Sequence, residues 1–191
     1  MTDDPIAITL KVTDIFESLG VPYLIGGSLA STLYGMVRTT QHADIIADMR
    51  PEHIQPFITS LQTEFFIDEE MIAESIRRHS GFNIIHRESM FKVDVFIPHP
   101  RPFLRSQLAR VQRQTFSLEA EKSANFASPE DTILSKLEWY RLGGEVSERQ
   151  WRDVLGVLKT RAGVLDLDYL LEWAKELKVG DLLERALNES N

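Results

Sequence analysis

Apolar positions along the chain fall into two kinds of period, and the switch between them outlines the fold. In IAITLKVTDIFESLG, residues Ile6, Leu10, Val12, Ile15, Phe16 and Leu19 lie near helical spacing, so a helix is expected that stops at Gly20. VPYLIGG is a short apolar run closed by two glycines and predicts a buried strand. SLASTLYG predicts a helix with Ser28 as its cap and Gly35 near its end. ADIIADM predicts a strand, and PEHIQPFITSLQTE a helix with Pro51 in its first turn and a kink at Pro56. DEEMIAESIRR predicts a further helix. FNIIHRE and FKVDVFIP, on either side of Ser89 and Met90, predict a hairpin. Arg101 to Gln114 reads as a basic helix, with QTFSLEA and SANFAS as short strands.

From Ser128 the pattern turns wholly helical. SPED places Ser128 at a cap, Pro129 at the first helical position and Asp131 three residues after the cap. SERQ repeats this logic, with Gln150 reaching back to Ser147. DLDYLLEWAKELK and DLLERALNES each open on an aspartate. The expected organisation is an α/β core over residues 1–121 and a helical subdomain over 122–191 that packs on it. The fold class is therefore α/β in the α+β sense: a mixed sheet flanked by helices, with a C-terminal helical bundle.

Candidate chemistry gathers on the strands. Gly26 and Gly27 lead into a helix that starts at Ser28. Glycines let a backbone approach a ligand, and a helix N-terminus offers free N–H groups, which together make a phosphate cradle. A turn that only permits tight strand-to-helix packing is the other reading. Along QHADIIADM, side chains alternate, so His42, Asp44, Ile46 and Asp48 share one face. An acid on an apolar strand must be solvated, paired or metal-bound. Lys92, Asp94 and Phe96 likewise share a face of FKVDVFIP. If the two strands are neighbours, Asp44 and Asp94 converge into an oxygen site suited to Mg²⁺. Alternatively, Asp94 pairs with Lys92 or a nearby arginine.

Composition narrows the setting. The chain has 191 residues, 43% hydrophobic and 26% charged, which is ordinary for a globular protein. A formal net charge of −8 argues against a broad nucleic-acid-coating surface. The absence of cysteine removes disulfides and thiolate chemistry and fits a reducing cytoplasm. No apolar run approaches the roughly 20 residues that span a bilayer, so no membrane partner is expected. Two basic clusters remain, Arg77, Arg78 and His79, and Arg101, Arg105, Arg110 and Arg113 with Phe103 and Phe116 nearby. They read either as a grip on a polyanion or as a solvated surface balancing the acids.

The run GGSLASTLYGMVRTTQHADIIADM resembles the opening signature of the polymerase-β-like nucleotidyltransferase superfamily, and more closely the bacterial nucleotidyltransferases related to AbiE-type toxins. Their pattern is Gly-Gly-Ser or Gly-Gly-Thr, a small-residue helix, then Arg-x-Thr-x-Asp-x-Asp. Gly26, Gly27, Ser28, Arg38, Thr40 and Asp44 match it, and His42 stands where the first aspartate is expected. Further on, SKLEWYR and SERQWRDVL resemble the family's later helices and supply Lys136 and Asp153. The resemblance covers roughly Val21 to Leu158.

It implies transfer of a nucleoside monophosphate from a nucleoside triphosphate to an acceptor hydroxyl, with tRNA or protein as acceptor and an antitoxin as partner. Asp44, Asp94, Lys136 and Asp153 would be catalytic. Gly26, Gly27, Ser28, Arg38 and Thr40 would bind the nucleotide, and Asp44, Asp94 and His42 a metal, Mg²⁺ or Mn²⁺. A histidine removes one hard, charged ligand, so Mn²⁺ or Zn²⁺ would be tolerated better than Mg²⁺. A degenerate, non-catalytic nucleotide- or protein-binding member of the fold is the alternative. From helix geometry alone, Lys136 lies three residues after Ile133 and four before Tyr140, on or beside an apolar stripe, and must snorkel or reach a partner. Asp153 falls off its helix's stripe, where a surface pair with Arg149 is the simple expectation.

Overall fold

The computed structural model describes residues 4–35, 40–115 and 122–190. In chain order the elements are α1 (Pro5–Ser18), β1 (Tyr23–Ile25), α2 (Gly27–Tyr34) and β2 (His42–Ala47), then a 3-10 turn (Pro51–His53) running into α3 (Ile54–Leu61). β3 (Phe65–Phe66), α4 (Glu69–Arg78), β4 (Gly81–His86), β5 (Lys92–Phe96), α5 (Pro102–Ala109), β6 (Gln112–Thr115) and β7 (Ser123–Phe126) follow. The chain then continues through α6 (Pro129–Leu142), α7 (Glu148–Thr160), α8 (Leu167–Glu176) and α9 (Gly180–Ser190). These elements form two compact units, one of Met1–Gly26 with Thr40–Phe126, the other of Gly27–Thr39 with Ala127–Asn191. The helical unit thus takes in α2 as well as α6 to α9.

The first unit is built on a seven-stranded mixed sheet in the order β3-β4-β5-β2-β1-β7-β6. β2 pairs parallel with β5, and β1 parallel with β7; the other pairings are antiparallel. One face carries Tyr23, Ile25, Ala43, Ile45, Ala47, Phe82, Ile84, Val93 and Val95, all buried. Phe16 of α1 and Phe57 of α3 stack at 5.2 Å over this face, and Phe82 meets Phe57 edge-on at 6.2 Å. Aromatic pairs in these geometries add to the burial that holds helices on a sheet. The opposite face holds His42, Asp44, Lys92 and Asp94, each only partly buried. The two-residue period of a strand therefore sorts the apolar residues into the core and leaves the polar ones on one accessible face.

Several sequence expectations change here. Arg101 to Gln114 is not one helix: α5 ends at Ala109, and Gln112–Thr115 pairs with β7 as the sheet's outermost strand. Those residues, QRQT, carry no apolar signal, because an edge strand need not bury either face. Ser28 does not cap α2 but is its second residue, since the helix begins at Gly27. Pro56 makes no interior kink. It is the third residue of α3, in the first turn, where a missing N–H leaves no helical bond unmade. The hairpin of β4 and β5 forms around Ser89 and Met90, with Met90 at a φ of 58°.

In the helical unit the caps expected at Ser128 and Ser147 are in place, and Asp166 caps α8. Gln150 Oε1 makes no return bond, however, and Asp181 lies inside α9, which begins at Gly180. Ser128 Oγ accepts from the Asp131 N–H at 3.0 Å, Ser147 Oγ from the Gln150 N–H at 3.4 Å, and Asp166 Oδ1 from the Tyr169 N–H at 3.0 Å. The fully buried Asp131 carboxylate also accepts the Ser128 hydroxyl at 2.9 Å and the Tyr169 hydroxyl at 2.7 Å, which ties α6 to α8. Gly35 lets the end of α2 approach α7. A Cβ there would lie 2.9 Å from the Ser31 carbonyl oxygen and 3.1 Å from the Val157 nitrogen.

One polar cluster in the first unit gives a pH signature. The Tyr23 hydroxyl donates to Glu17 at 2.6 Å and accepts from the Asn125 N–H at 3.2 Å, and Arg113 donates to the same Glu17 at 2.6 Å. Burial, then the bond to Glu17, pushes the Tyr23 phenol from its ordinary value near 10 up to about 12. A folded-state value above the unfolded one stabilises fully below the unfolded value and is lost as pH rises through the folded one. Urea denaturation should therefore show roughly 2–3 kcal/mol of stability lost between about pH 10 and 12, and Tyr23→Phe should remove most of that dependence.

Candidate active site

The parallel pairing of β2 with β5 sets His42 opposite Lys92 and Asp44 opposite Asp94. One ligand atom each from His42, Asp44 and Asp94 lies within 4.8 Å of the others, the one such group of metal-ligating side chains among the described residues. His42 Nε2 sits 3.7 Å from Asp44 Oδ1, and Lys92 Nζ sits 2.9 Å from Asp94 Oδ2. Like charges directly opposite each other on neighbouring strands repel, so the two carboxylates need positive charge close by. Two carboxylate oxygens and one imidazole nitrogen form a donor set that fits a divalent cation. The nitrogen favours Mn²⁺ or Zn²⁺ over Mg²⁺, which prefers oxygen alone.

The backbone around this cluster is fixed by short bonds. The Gly26 N–H donates to the Asp44 carbonyl at 2.9 Å, so the start of the glycine turn is anchored on β2 at the very residue that carries the carboxylate. The Thr40 hydroxyl donates to the His42 carbonyl at 2.8 Å and pins the entry of the strand. Gly27 opens α2 at a φ of 54°, a left-handed conformation that a side chain would strain. Arg38 lies outside the described residues.

Lys136 and Asp153 meet within the helical unit. Lys136 Nζ donates to Asp153 Oδ2 at 2.8 Å, with each side chain only 11% exposed. Asp153 therefore does not form the expected surface pair with Arg149. Its carboxylate turns inward to α6, and the Ser31 hydroxyl on α2 lies 3.4 Å from it. Arg149 reaches the Ser28 hydroxyl instead, at 3.4 Å. The side chains of α2, α6 and α7 thus form one polar group: Ser28, Ser31, Lys136, Arg149 and Asp153. Sequence reasoning passed over Ser31, and took Arg149 only as a partner for Asp153. The signal was there, since Ser31 lies three residues after Ser28 and Arg149 four before Asp153, spacings that share a helix face.

Three residues of the basic clusters are paired with acids. Arg77 and Arg78 both pair with Glu74, and Arg113 with Glu17. Those partners favour the balanced-surface reading over a polyanion grip. Phe116 lies outside the described residues. Among the described residues no helix is long and apolar enough to cross a membrane.

No family model matches the chain, and no curated protein does. Solved structures do resemble it. The complex of ANT(2")-Ia with adenylyl-2"-tobramycin aligns at a TM-score of 0.59 and 11% identity over 91% of this chain and 96% of that one. An antigenic nucleotidyltransferase-like protein from Paracoccidioides brasiliensis aligns at 0.55 and 15% over 98% and 94%. The lincosamide antibiotic adenylyltransferase LnuA, bound to lincomycin, aligns at 0.51 and 17% over 78% and 93%. The likeness is one of fold, and the fold is nucleotidyltransferase-like. It does not single out the AbiE-type toxins.

Because Lys136 and Asp153 are both nearly buried, removing one partner strands the other charge. Asp153→Ala should lower the unfolding free energy by about 3 kcal/mol, and adding Lys136→Met should restore a large part of it. Urea titrations of the two single variants and the double variant measure this coupling.

Proposed function

We propose that the chain transfers a nucleoside monophosphate from a nucleoside triphosphate to an acceptor hydroxyl. The observation that carries this reading is the β2–β5 register, which brings His42, Asp44 and Asp94 within 4.8 Å of one another in a nucleotidyltransferase-like fold. Asp44, Asp94 and His42 would hold a divalent cation, Mn²⁺ in preference to Mg²⁺. Bound there, such a cation supplies neutralisation of phosphate charge. Gly26, Gly27, Ser28, Arg38 and Thr40 are assigned to the nucleotide, through close backbone approach at the glycine turn, hydroxyls and a guanidinium. Lys136 serves the phosphates as a point charge, and Asp153 orients it.

In the reaction, the acceptor oxygen bonds to the α-phosphorus. The bond from that phosphorus to the bridging oxygen breaks, and pyrophosphate leaves with the electron pair. The acceptor's proton passes to the Asp94 carboxylate, which acts as general base. The acceptor is a hydroxyl compound. Two of the similar structures concern antibiotic-modifying proteins, one holding an adenylylated tobramycin and one lincomycin, which supports a small-molecule hydroxyl. The sequence resemblance to AbiE-type toxins supports tRNA or protein as the acceptor, with an antitoxin as partner.

A second reading, a nucleotide-binding protein without turnover, draws support from His42, which brings no negative charge to the place of an expected carboxylate.

Transfer from each labelled nucleoside triphosphate can be measured with total RNA, protein, tobramycin and lincomycin as acceptors, in Mg²⁺ and in Mn²⁺. The expected result is labelling that is stronger in Mn²⁺ and falls about 100-fold or more in Asp44→Ala. Labelling only by His42→Asp would support the second reading. Neither labelling nor nucleotide binding by either chain would overturn both.

A further inference from the structure

Lys92 stands two residues before Asp94 on the same strand face, and the register places it directly opposite His42. Its ammonium lies 2.9 Å from Asp94 Oδ2, a charge-assisted contact. The Asp94 side chain is 18% exposed and that of Lys92 43%. We propose that Lys92 is a built-in second cation of this site: its ammonium occupies Asp94, so the centre takes one divalent cation where two would otherwise be needed. The inference rests on the functional reading above and specifies how that site is charged.

The argument is one of charge and position. Two-metal phosphoryl-transfer centres set two divalent cations roughly 3.5–4 Å apart among carboxylates. Three carboxylates with two divalent cations carry one net positive charge. Among the described side chains of the cluster are two carboxylates, an imidazole and the Lys92 ammonium, and with a single divalent cation these groups carry the same net charge. His42 and Lys92 are thus complementary departures. One withholds a negative charge, the other supplies a positive one, and the strand register places them side by side.

An ammonium suits this role, as a compact point charge with three donors that can hold a carboxylate oxygen in place. An exposed lysine–aspartate pair with no further role would contribute little. This one differs in its setting, because Asp44 faces the same Asp94 from the other strand and the repulsion between them must be offset. On its other side Asp94 faces Asn83 of β4, which is neutral and offers no competing charge. Lys92 is therefore a positioning residue: it fixes the Asp94 carboxylate beside Asp44.

The test counts metal. Mn²⁺ bound per full-length chain is measured by electron paramagnetic resonance, with a saturating non-hydrolysable ATP analogue, for the unaltered chain, Lys92→Met and Lys92→Arg. The expected result is one ion for the unaltered chain and for Lys92→Arg, and two for Lys92→Met, the second binding at least about 10-fold more tightly than in the unaltered chain. Circular dichroism of each variant confirms folding, and Lys92→Arg, which keeps the charge, guards against a merely structural effect. Two ions in the unaltered chain, or one in Lys92→Met with unchanged affinity, would overturn the role of Lys92 and leave the functional reading standing. No Mn²⁺ in any of the three would overturn the functional reading itself, and the inference with it.

Discussion

Parallel pairing between β2 and β5 is the constraint on which the site depends. These strands are distant in sequence and are brought together by the crossover through α3, β3, α4 and β4. Once they are paired, alternation does the rest. Ala43, Ile45, Val93 and Val95 point into the core under Phe16 and Phe57, and His42, Asp44, Lys92 and Asp94 are forced onto the other face. A slip of one residue would turn one of the two strands over, burying two polar side chains, His42 and Asp44 or Lys92 and Asp94, and exposing the apolar residues that alternate with them. The apolar core thus selects the register, and the register makes the cluster. The metal-ligating geometry follows from core packing without needing any bond of its own.

A different principle organises the helical unit. There the apolar faces pack α6 and α7 together, and the charged groups that remain close to that packing have to find one another. Lys136 and Asp153 do so at 2.8 Å, and Ser31, Ser28 and Arg149 extend the contact onto α2. A nearly buried ion pair adds little net stability over apolar residues of similar size, so stability alone is a weak reason for its presence.

Much of this was legible in the sequence, and the failures have physical causes. Strands with one buried face show themselves by alternation, so β2 and β5 could be read and their acids placed on a common side. Their neighbourhood and register could not, because a single sequence carries no signal for pairing across more than forty intervening residues. The conditional statement that Asp44 and Asp94 converge if the strands are neighbours was as far as residues alone could go. Lys136 could be seen to need a partner, but that partner, seventeen positions away on another helix, is set by packing. QRQT gave no strand signal because the sheet edge imposes no apolar pattern. The two readings of Asp94, ion pair with Lys92 or member of an acid cluster, turn out to describe the same carboxylate.

The central claim is that the β2–β5 register builds a cation site shared by Asp44 and Asp94. It is tested most directly by anomalous diffraction from crystals soaked with Mn²⁺ and a non-hydrolysable nucleoside triphosphate analogue. The account predicts an anomalous peak bonded to carboxylate oxygens of both Asp44 and Asp94, with the analogue's phosphates on the same ion. A bound analogue with no peak at these carboxylates, or with Mn²⁺ held elsewhere in the chain, would contradict it.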